Sequence, residues 1–124
     1  MNSKVSMIIR ILLAIILIVF GVNKFGQFFP MPPMEGDAAT FMGALGISGY
    51  MFPLLGILEI GIGILLILKK AVPFALILLA PLAVNMVLFH AFMAPEGIVA
   101  AAIVFVFNIA LMYNSKDAYN TLFE

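Results

Sequence analysis

The sequence contains no cysteine. This absence excludes disulfide bonds, thiolate-bound metals, iron–sulfur clusters, a dithiol redox relay and covalent attachment of haem. Tryptophan is also absent, so the aromatic anchors that membrane proteins place at the lipid–water interface have to be phenylalanines and the three tyrosines, Tyr50, Tyr113 and Tyr119.

Charge is scarce as well. Asp, Glu, Lys and Arg make up 10% of the 124 residues, and six basic residues balance six acidic ones. Without a basic excess the chain does not suit a polyanion, so we expect no nucleic-acid partner. Hydrophobic residues reach 65% and the mean hydropathy is +1.26, whereas ordinary soluble domains hold about 45–50% apolar residues. This balance excludes a soluble globular domain and a disordered chain, and it predicts an integral membrane protein.

Apolar segments recur four times, at about residues 7–29, 50–68, 72–92 and 97–113. Each has the roughly 17–23 residues that a helix needs to cross about 30 Å of hydrocarbon. Backbone groups in lipid must pair internally, and no alternating pattern indicates strands. We therefore predict an all-α membrane protein, a four-transmembrane-helix bundle that forms a single domain over residues 1–124.

Basic residues predict the orientation of this bundle. Five of the six lie on one side of a four-span arrangement, and only Lys24 lies on the other; the five are Lys4, Arg10, Lys69, Lys70 and Lys116. The positive-inside rule then makes both termini cytoplasmic, with Arg10 snorkelling to that side. No small-residue cleavage site follows the first apolar run, so we expect it to stay as a helix and not to be removed as a signal peptide.

The long connection between the first two spans lies on the opposite, outer side. Its proline-rich start, residues 30–34, predicts an extended stretch. Asp37 is then expected to be the N-cap of a short helix over residues 38–45 that ends at Gly46. Phe41 and Leu45 would share one face of this helix, which we expect to lie on the outer interface.

Six polar residues lie within or at the ends of the apolar segments and are the candidate ligand-binding or proton-handling residues: Asn23, Lys24, Glu59, Asn85, His90 and Asn108. A charged side chain near the bilayer centre costs about 2.5–3.5 kcal/mol, and such residues normally face the bundle interior. Counted at about 1.5 Å per residue from the cytoplasmic basic residues, all six fall between the midplane and the outer boundary. This common depth predicts a polar cavity in the outer half of the bundle.

Glu59 is the most informative of the six. Gly56 and Gly63 lie one turn away from it on nearly the same face, and small residues let a neighbouring helix approach closely. Lys24 lies about 6 Å nearer the outer side by the same count, within reach of its long side chain. We therefore predict a Lys24–Glu59 ion pair. The alternatives are that Glu59 only holds helices together through hydrogen bonds and that Lys24 snorkels to the outer headgroups.

The other polar residues have structural alternatives too. Pro81 leaves the carbonyl of Ile77 without its helical donor, so Asn85 would either repair that break or line the cavity. Asn108 would join helices by hydrogen bonds. His90, the only histidine, would either exchange protons with the outer compartment or bond to water and headgroups.

Methionines suggest a metal alternative. Met31, Met34, His90 and Met93 all fall on the outer side, and thioethers with imidazole suit Cu(I). Nine methionines in a membrane chain more commonly fill irregular packing, so we predict no metal site.

Three stretches carry a familiar pattern: RILL followed by GVNKF over residues 10–25, LEIGIGILL over 58–66, and APLAVN followed by LFH over 80–90. With these stretches the chain resembles the DoxX family of small four-span bacterial membrane proteins. The resemblance implies a multi-pass protein of the bacterial inner (cytoplasmic) membrane. It also implies a redox connection, because the name-giving relatives belong to thiosulfate:quinone oxidoreductase and others associate with oxidative-stress enzymes. Lacking a thiol, this chain would not oxidise sulfur unaided.

Three functions stay open from the sequence. The first is a redox-associated subunit that holds a quinone or another lipid-soluble molecule by Lys24, Asn85 or His90, with Glu59 and His90 moving protons and a redox partner protein supplying electrons. The second is a non-enzymatic binder of a lipid or small molecule, or a membrane scaffold for a partner enzyme. The third is a proton-coupled transporter of small solutes, for which Pro81 is the one sign of a broken helix. Membrane lipid and a second copy of the chain are further candidate partners.

Overall fold

The computed structural model describes residues 1–31 and 33–124, and these residues contain helices but no strand. The five α-helices are α1 (Ser3–Asn23), α2 (Gly36–Ile47), α3 (Met51–Leu68), α4 (Val72–Phe92) and α5 (Ile98–Asn114). Short 3-10 segments occupy Pro95–Gly97 and Lys116–Phe123. Four helices are long and apolar enough to cross a membrane: α1, α3, α4 and the continuous segment Pro95–Asn114. The predicted all-α fold with four spanning helices is confirmed.

The four long helices form a closed ring. α1 packs against α3 and α5, and α4 packs against the same two helices. Six fully buried aliphatic side chains fill the interior and form what we call the packed layer: Leu13, Leu17, Ile62, Leu66, Leu76 and Leu79. Both chain ends lie at one end of the ring, which we call the terminal face, and α2 lies at the other end, which we call the loop face. Asn114 at the end of α5 accordingly donates a hydrogen bond to Ser6 near the start of α1.

Glycines bring α1 and α3 together. A Cβ added at Gly56 would lie 3.0 Å from the carbonyl oxygen of Gly21, and a Cβ added at Gly63 would lie 3.0 Å from the carbonyl oxygen of Ala14. Any larger residue would therefore have to push the two backbones apart. The close approach predicted at Gly56 and Gly63 is confirmed, and its partner is α1.

Side-chain hydrogen bonds to helix backbones close the terminal face. The guanidinium of Arg10 donates to the carbonyl of Leu66 in the last turn of α3, and Lys69 ends that helix in the left-handed conformation with φ 55°. The Tyr119 hydroxyl donates to the carbonyl of Pro73 in the first turn of α4 at 2.8 Å. Arg10 is only 9% exposed. It therefore does not snorkel as predicted, because the carbonyl oxygens of Leu66 and Ile67 at the end of α3 lack the N–H donor of a following helical turn and accept from Arg10 instead.

The first helix is displaced from the predicted span of residues 7–29. α1 begins at Ser3, where Asn2 is the N-cap and its side chain accepts a hydrogen bond from the backbone N–H of Val5. It ends at Asn23, whose side-chain oxygen accepts a hydrogen bond from the backbone N–H of Phe29 at 3.0 Å. The chain therefore turns after Asn23, and the apolar run beyond it is not helical.

α2 also differs from the prediction, because it is longer than residues 38–45. Its N-cap is Glu35 and not Asp37, which lies in the first turn, where a carboxylate stabilises the helix dipole. Its first residue, Gly36, and Gly49, two residues beyond its end, have positive φ angles of 61° and 78°. The position of α2 relative to a lipid interface stays a prediction.

Candidate functional site

An ion pair between Lys24 and Glu59 is the most polar feature inside the bundle. The ammonium nitrogen of Lys24 lies 2.8 Å from Oε2 and 3.0 Å from Oε1 of Glu59, so it donates to both carboxylate oxygens. Glu59 is 1% exposed, whereas the side chain of Lys24 is 23% exposed. The predicted pair is confirmed, and it is the single ion pair among the described residues.

The close contact of α1 with α3 positions this pair. Lys24 is the C-cap residue of α1, and Glu59 lies in the middle of α3. Gly21, one turn before Lys24, faces Glu59 so closely that an added Cβ would lie 3.1 Å from the Cβ of Glu59. The carboxylate therefore emerges next to α1, and the flexible lysine side chain folds back onto it.

A partly enclosed cavity of about 210 Å³ lies beside the ion pair. Four polar side chains line it: Lys24, Glu59, Asn85 and His90. The rest of its wall consists of aliphatic, aromatic and methionine side chains from all five α-helices and from the loop before α2. Leu17 of the packed layer is part of this wall, so the cavity lies directly on the loop-face side of that layer. The structure thus brings four of the six candidate residues to one space.

The wall contributed by α2 was not predicted. Phe41 and Leu45 do share one face of α2, but this face lines the cavity together with Met42. The Phe41 ring packs on Phe89 of α4 with centroids 5.6 Å apart. The spacing of Phe41 and Leu45 indicated a common face but carried no information on what would cover it.

His90 lines the cavity from the last turn of α4. Its Nδ1 lies 3.0 Å from the carbonyl oxygen of Ala94, and a carbonyl oxygen only accepts, so Nδ1 carries the proton. The ring also packs edge-on against Phe89 with centroids 5.0 Å apart. Gly97 leaves room for it, since a Cβ there would collide with the imidazole. The orientation and the tautomer of His90 are therefore both determined by its surroundings.

Asn85 lines the cavity and makes no side-chain hydrogen bond among the described residues. It therefore does not repair the break that Pro81 makes at the carbonyl of Ile77, which was one of its two sequence interpretations. The side-chain amide nearest this break is that of Asn108 in α5, whose Nδ2 donates to the carbonyl of Leu76, the residue before Ile77, at 3.0 Å.

Asn23 and Asn108 do not line the cavity. Asn23 holds the turn after α1, and Asn108 is fully buried where it joins α5 to α4. The Oδ1 atom of Asn108 is buried without a hydrogen-bond partner. Depth along a helix predicted these two residues for the cavity, but it does not determine the direction in which a side chain points.

Three of the four residues of the copper alternative, Met31, Met34 and His90, line the cavity, and Met93 does not. Among residues 1–31 and 33–124, no group of three or more His, Asp or Glu side chains is arranged to hold a metal ion. A thioether site for Cu(I) stays an untested alternative.

A family model described as DoxX matches residues 5–94, which include all of α1 except its first two residues, α2 to α4, and all four polar residues of the cavity. α5 lies beyond the matched residues. No curated protein and no solved structure matches the chain.

Proposed function

The chain belongs to the DoxX family of multi-pass membrane proteins, and from that premise we propose that it binds a quinone or a similar lipid-soluble molecule in the cavity and acts as the membrane subunit of a redox partner. One observation carries this proposal: a mostly apolar cavity inside a membrane bundle is lined by a partly buried ion pair together with Asn85 and His90. Binding sites for small molecules combine mostly apolar walls with a few polar groups in this way.

The size of the cavity favours a head group over a whole lipid. Its volume of about 210 Å³ is below the roughly 300–1,000 Å³ of sites that enclose drug-sized ligands. A ring-shaped head group fits such a space, and an attached apolar tail would leave through the open side into lipid. The aromatic rings of Phe41 and Phe89 supply flat apolar surface for this head group.

The polar groups suit oxygen atoms on such a ring. An ammonium group has three N–H bonds, so Lys24 keeps a donor after it contacts both oxygens of Glu59. The amide of Asn85 is free to donate or accept. A quinone would supply exchange of electrons and protons, with Glu59 and His90 as the nearest groups to accept or return a proton. The electrons would pass to or from a partner protein.

Ligand binding to the purified protein tests this function. We would reconstitute the protein in lipid nanodiscs, add decylubiquinone, a short-tailed quinone, and measure the amount retained above that of empty nanodiscs. The informative variant is the double substitution Lys24→Met with Glu59→Gln, which removes the ion pair without leaving one buried charge alone. Tyr119→Phe at the terminal face is the matched control, because it removes a polar contact far from the cavity.

We expect saturable binding to the wild type and to Tyr119→Phe, and at least about tenfold weaker binding to the double variant, because the charged N–H donor that Lys24 offers to a quinone oxygen is lost. Absence of saturable binding, or equal binding by the double variant, would refute the proposal. Extraction of a tightly held non-quinone lipid from the wild type, but not from the double variant, would favour the second interpretation of the sequence, a non-enzymatic lipid binder.

A further inference from the structure

The tautomer of His90 limits the kind of ligand atom that it accepts. Nδ1 donates to the carbonyl of Ala94, so in the neutral ring Nε2 carries a lone pair and no proton. Nε2 is therefore a hydrogen-bond acceptor. A ligand carbonyl cannot bond to it, because both atoms would be acceptors, whereas a ligand hydroxyl can.

Nε2 is also accessible. It makes no hydrogen bond among the described residues, and Asn108 Oδ1 is the one side-chain polar atom there that is both buried and without a partner. Nε2 is consequently not sealed in the protein. Because Nδ1 is bonded to Ala94, Nε2 is the polar atom that His90 has left for a ligand in the cavity that it lines.

Lys24 has the opposite character, since its remaining N–H is a donor that requires an acceptor oxygen on the ligand. Lys24 reaches the cavity from α1 and His90 reaches it from α4. The two sides of the cavity therefore require different atoms of one ligand, an acceptor oxygen at Lys24 and a donor hydroxyl at His90.

We propose that the cavity selects a hydroxylated aromatic head group, so that a quinol or another phenol binds in preference to the quinone or ether without that hydroxyl. This inference rests on the proposed function, because it specifies the ligand class of the same cavity. Glu59 adds to the preference, because its carboxylate also accepts hydrogen bonds and never donates them when ionised.

Two probes without redox chemistry test the selection. 6-Methoxy-2-naphthol carries one hydroxyl and one ether oxygen at opposite ends of a two-ring system, and 2,6-dimethoxynaphthalene replaces that hydroxyl by a second ether. Both are fluorescent, and this chain, which has no tryptophan, adds no indole emission to theirs. In nanodiscs, after subtraction of the partition into empty nanodiscs, we expect the naphthol to bind about tenfold more tightly, since the ether leaves the accepting nitrogen unpaired.

Two substitutions of His90 separate the loss of its hydrogen bond from the loss of its ring. The amide of asparagine reaches the place of Nδ1 but has no atom near Nε2, whereas the amide oxygen of glutamine reaches the place of Nε2. We therefore expect His90→Asn to lower the tenfold preference to about twofold or less, and His90→Gln to keep a preference of about threefold or more. Tyr119→Phe should keep the full preference.

A wild type that shows no preference for the naphthol would overturn the proposal. A preference that is unchanged in His90→Asn would also overturn it, because the extra methyl group of the ether would then account for the difference. Decylubiquinone binding that still depends on the ion pair would in that case leave the proposed function standing. Failure of both naphthalenes and of decylubiquinone to bind would overturn both.

Discussion

The two ends of this bundle are built from the same four helices but are filled differently. Towards the terminal face, Leu13, Leu66 and Leu76 are 0% exposed and occupy the interior, while Arg10 is bound to the end of α3. Towards the loop face, the same ring encloses a cavity with the ion pair on one side. Overall hydrophobicity does not distinguish these ends, since both are almost wholly apolar.

The difference indicates a division of labour. The packed layer supplies dense contacts that stabilise a helical bundle in lipid, where no hydrophobic effect drives the helices together. Around the cavity there are fewer such contacts, and polar groups lie inside the bundle, where they are costly in a bilayer and typical of functional sites. α2 covers this end, and its side-chain hydrogen bonds are all local, such as Thr40 to Gly36, so apolar contacts hold it to the ring.

Removing one partner of the ion pair should have the largest effect on the loop-face end. Lys24→Met leaves the carboxylate of Glu59 buried without its cation, and we expect a loss of about 3–5 kcal/mol in the free energy of unfolding at neutral pH. The double variant Lys24→Met with Glu59→Gln should recover most of this loss, because no charge is left uncompensated. Unfolding in mixed micelles at increasing denaturant measures both. Equal losses in the single and double variants would contradict coupling between the two side chains.

Truncating two leucines of α4, one in the packed layer and one in the cavity wall, compares the two ends of the bundle directly. Leu76→Ala opens a hole in the packed layer, and we expect a loss of about 2–5 kcal/mol. Leu82→Ala removes the same atoms from the wall of an existing cavity, so fewer contacts disappear and the loss should be less than half as large. If the two variants unfold at the same denaturant concentration, the loop-face end is packed as densely as the terminal-face end, and the proposed difference in packing between the two ends is wrong.

Much of this architecture was predictable because membrane insertion imposes strong rules on sequence. The number of spanning helices, their helical nature and the Lys24–Glu59 pair followed from segment length, internal backbone pairing and the cost of intramembrane charge. The glycines around Glu59 correctly indicated which face of α3 is packed.

Other features depend on tertiary contacts that no local pattern contains. The role of Arg10 required the end of α3 to lie beside α1, and the wall formed by Phe41 required α2 to fold over the ring. Asn85 and Asn108 have the same chemistry, yet only Asn85 faces the cavity, because their rotational positions on α4 and α5 decide the outcome. The tautomer of His90 likewise depends on the Ala94 carbonyl at the following turn.

The smallest of the predicted losses of stability concerns the glycine contact between α1 and α3 that holds the ion pair in place. A Cβ at Gly56 would lie 2.6 Å from Cε2 of Phe25 and 3.0 Å from the carbonyl oxygen of Gly21, so Gly56→Ala should cost about 1–3 kcal/mol by overpacking. Gly61→Ala on the same helix is the matched control, because nothing lies within 4 Å of its added Cβ. It should be neutral or stabilising by up to about 1 kcal/mol.

The pair of glycine variants also tests whether site geometry depends on helix spacing. Gly56 lies one turn from Glu59, so a methyl group there pushes α1 away at the level of the Lys24 contact and should weaken decylubiquinone binding several-fold, whereas Gly61→Ala should leave binding unchanged. If Gly56→Ala lowers stability but not binding, the ion pair adjusts to the wider spacing, and the flexible lysine rather than the close backbone approach keeps the cavity polar.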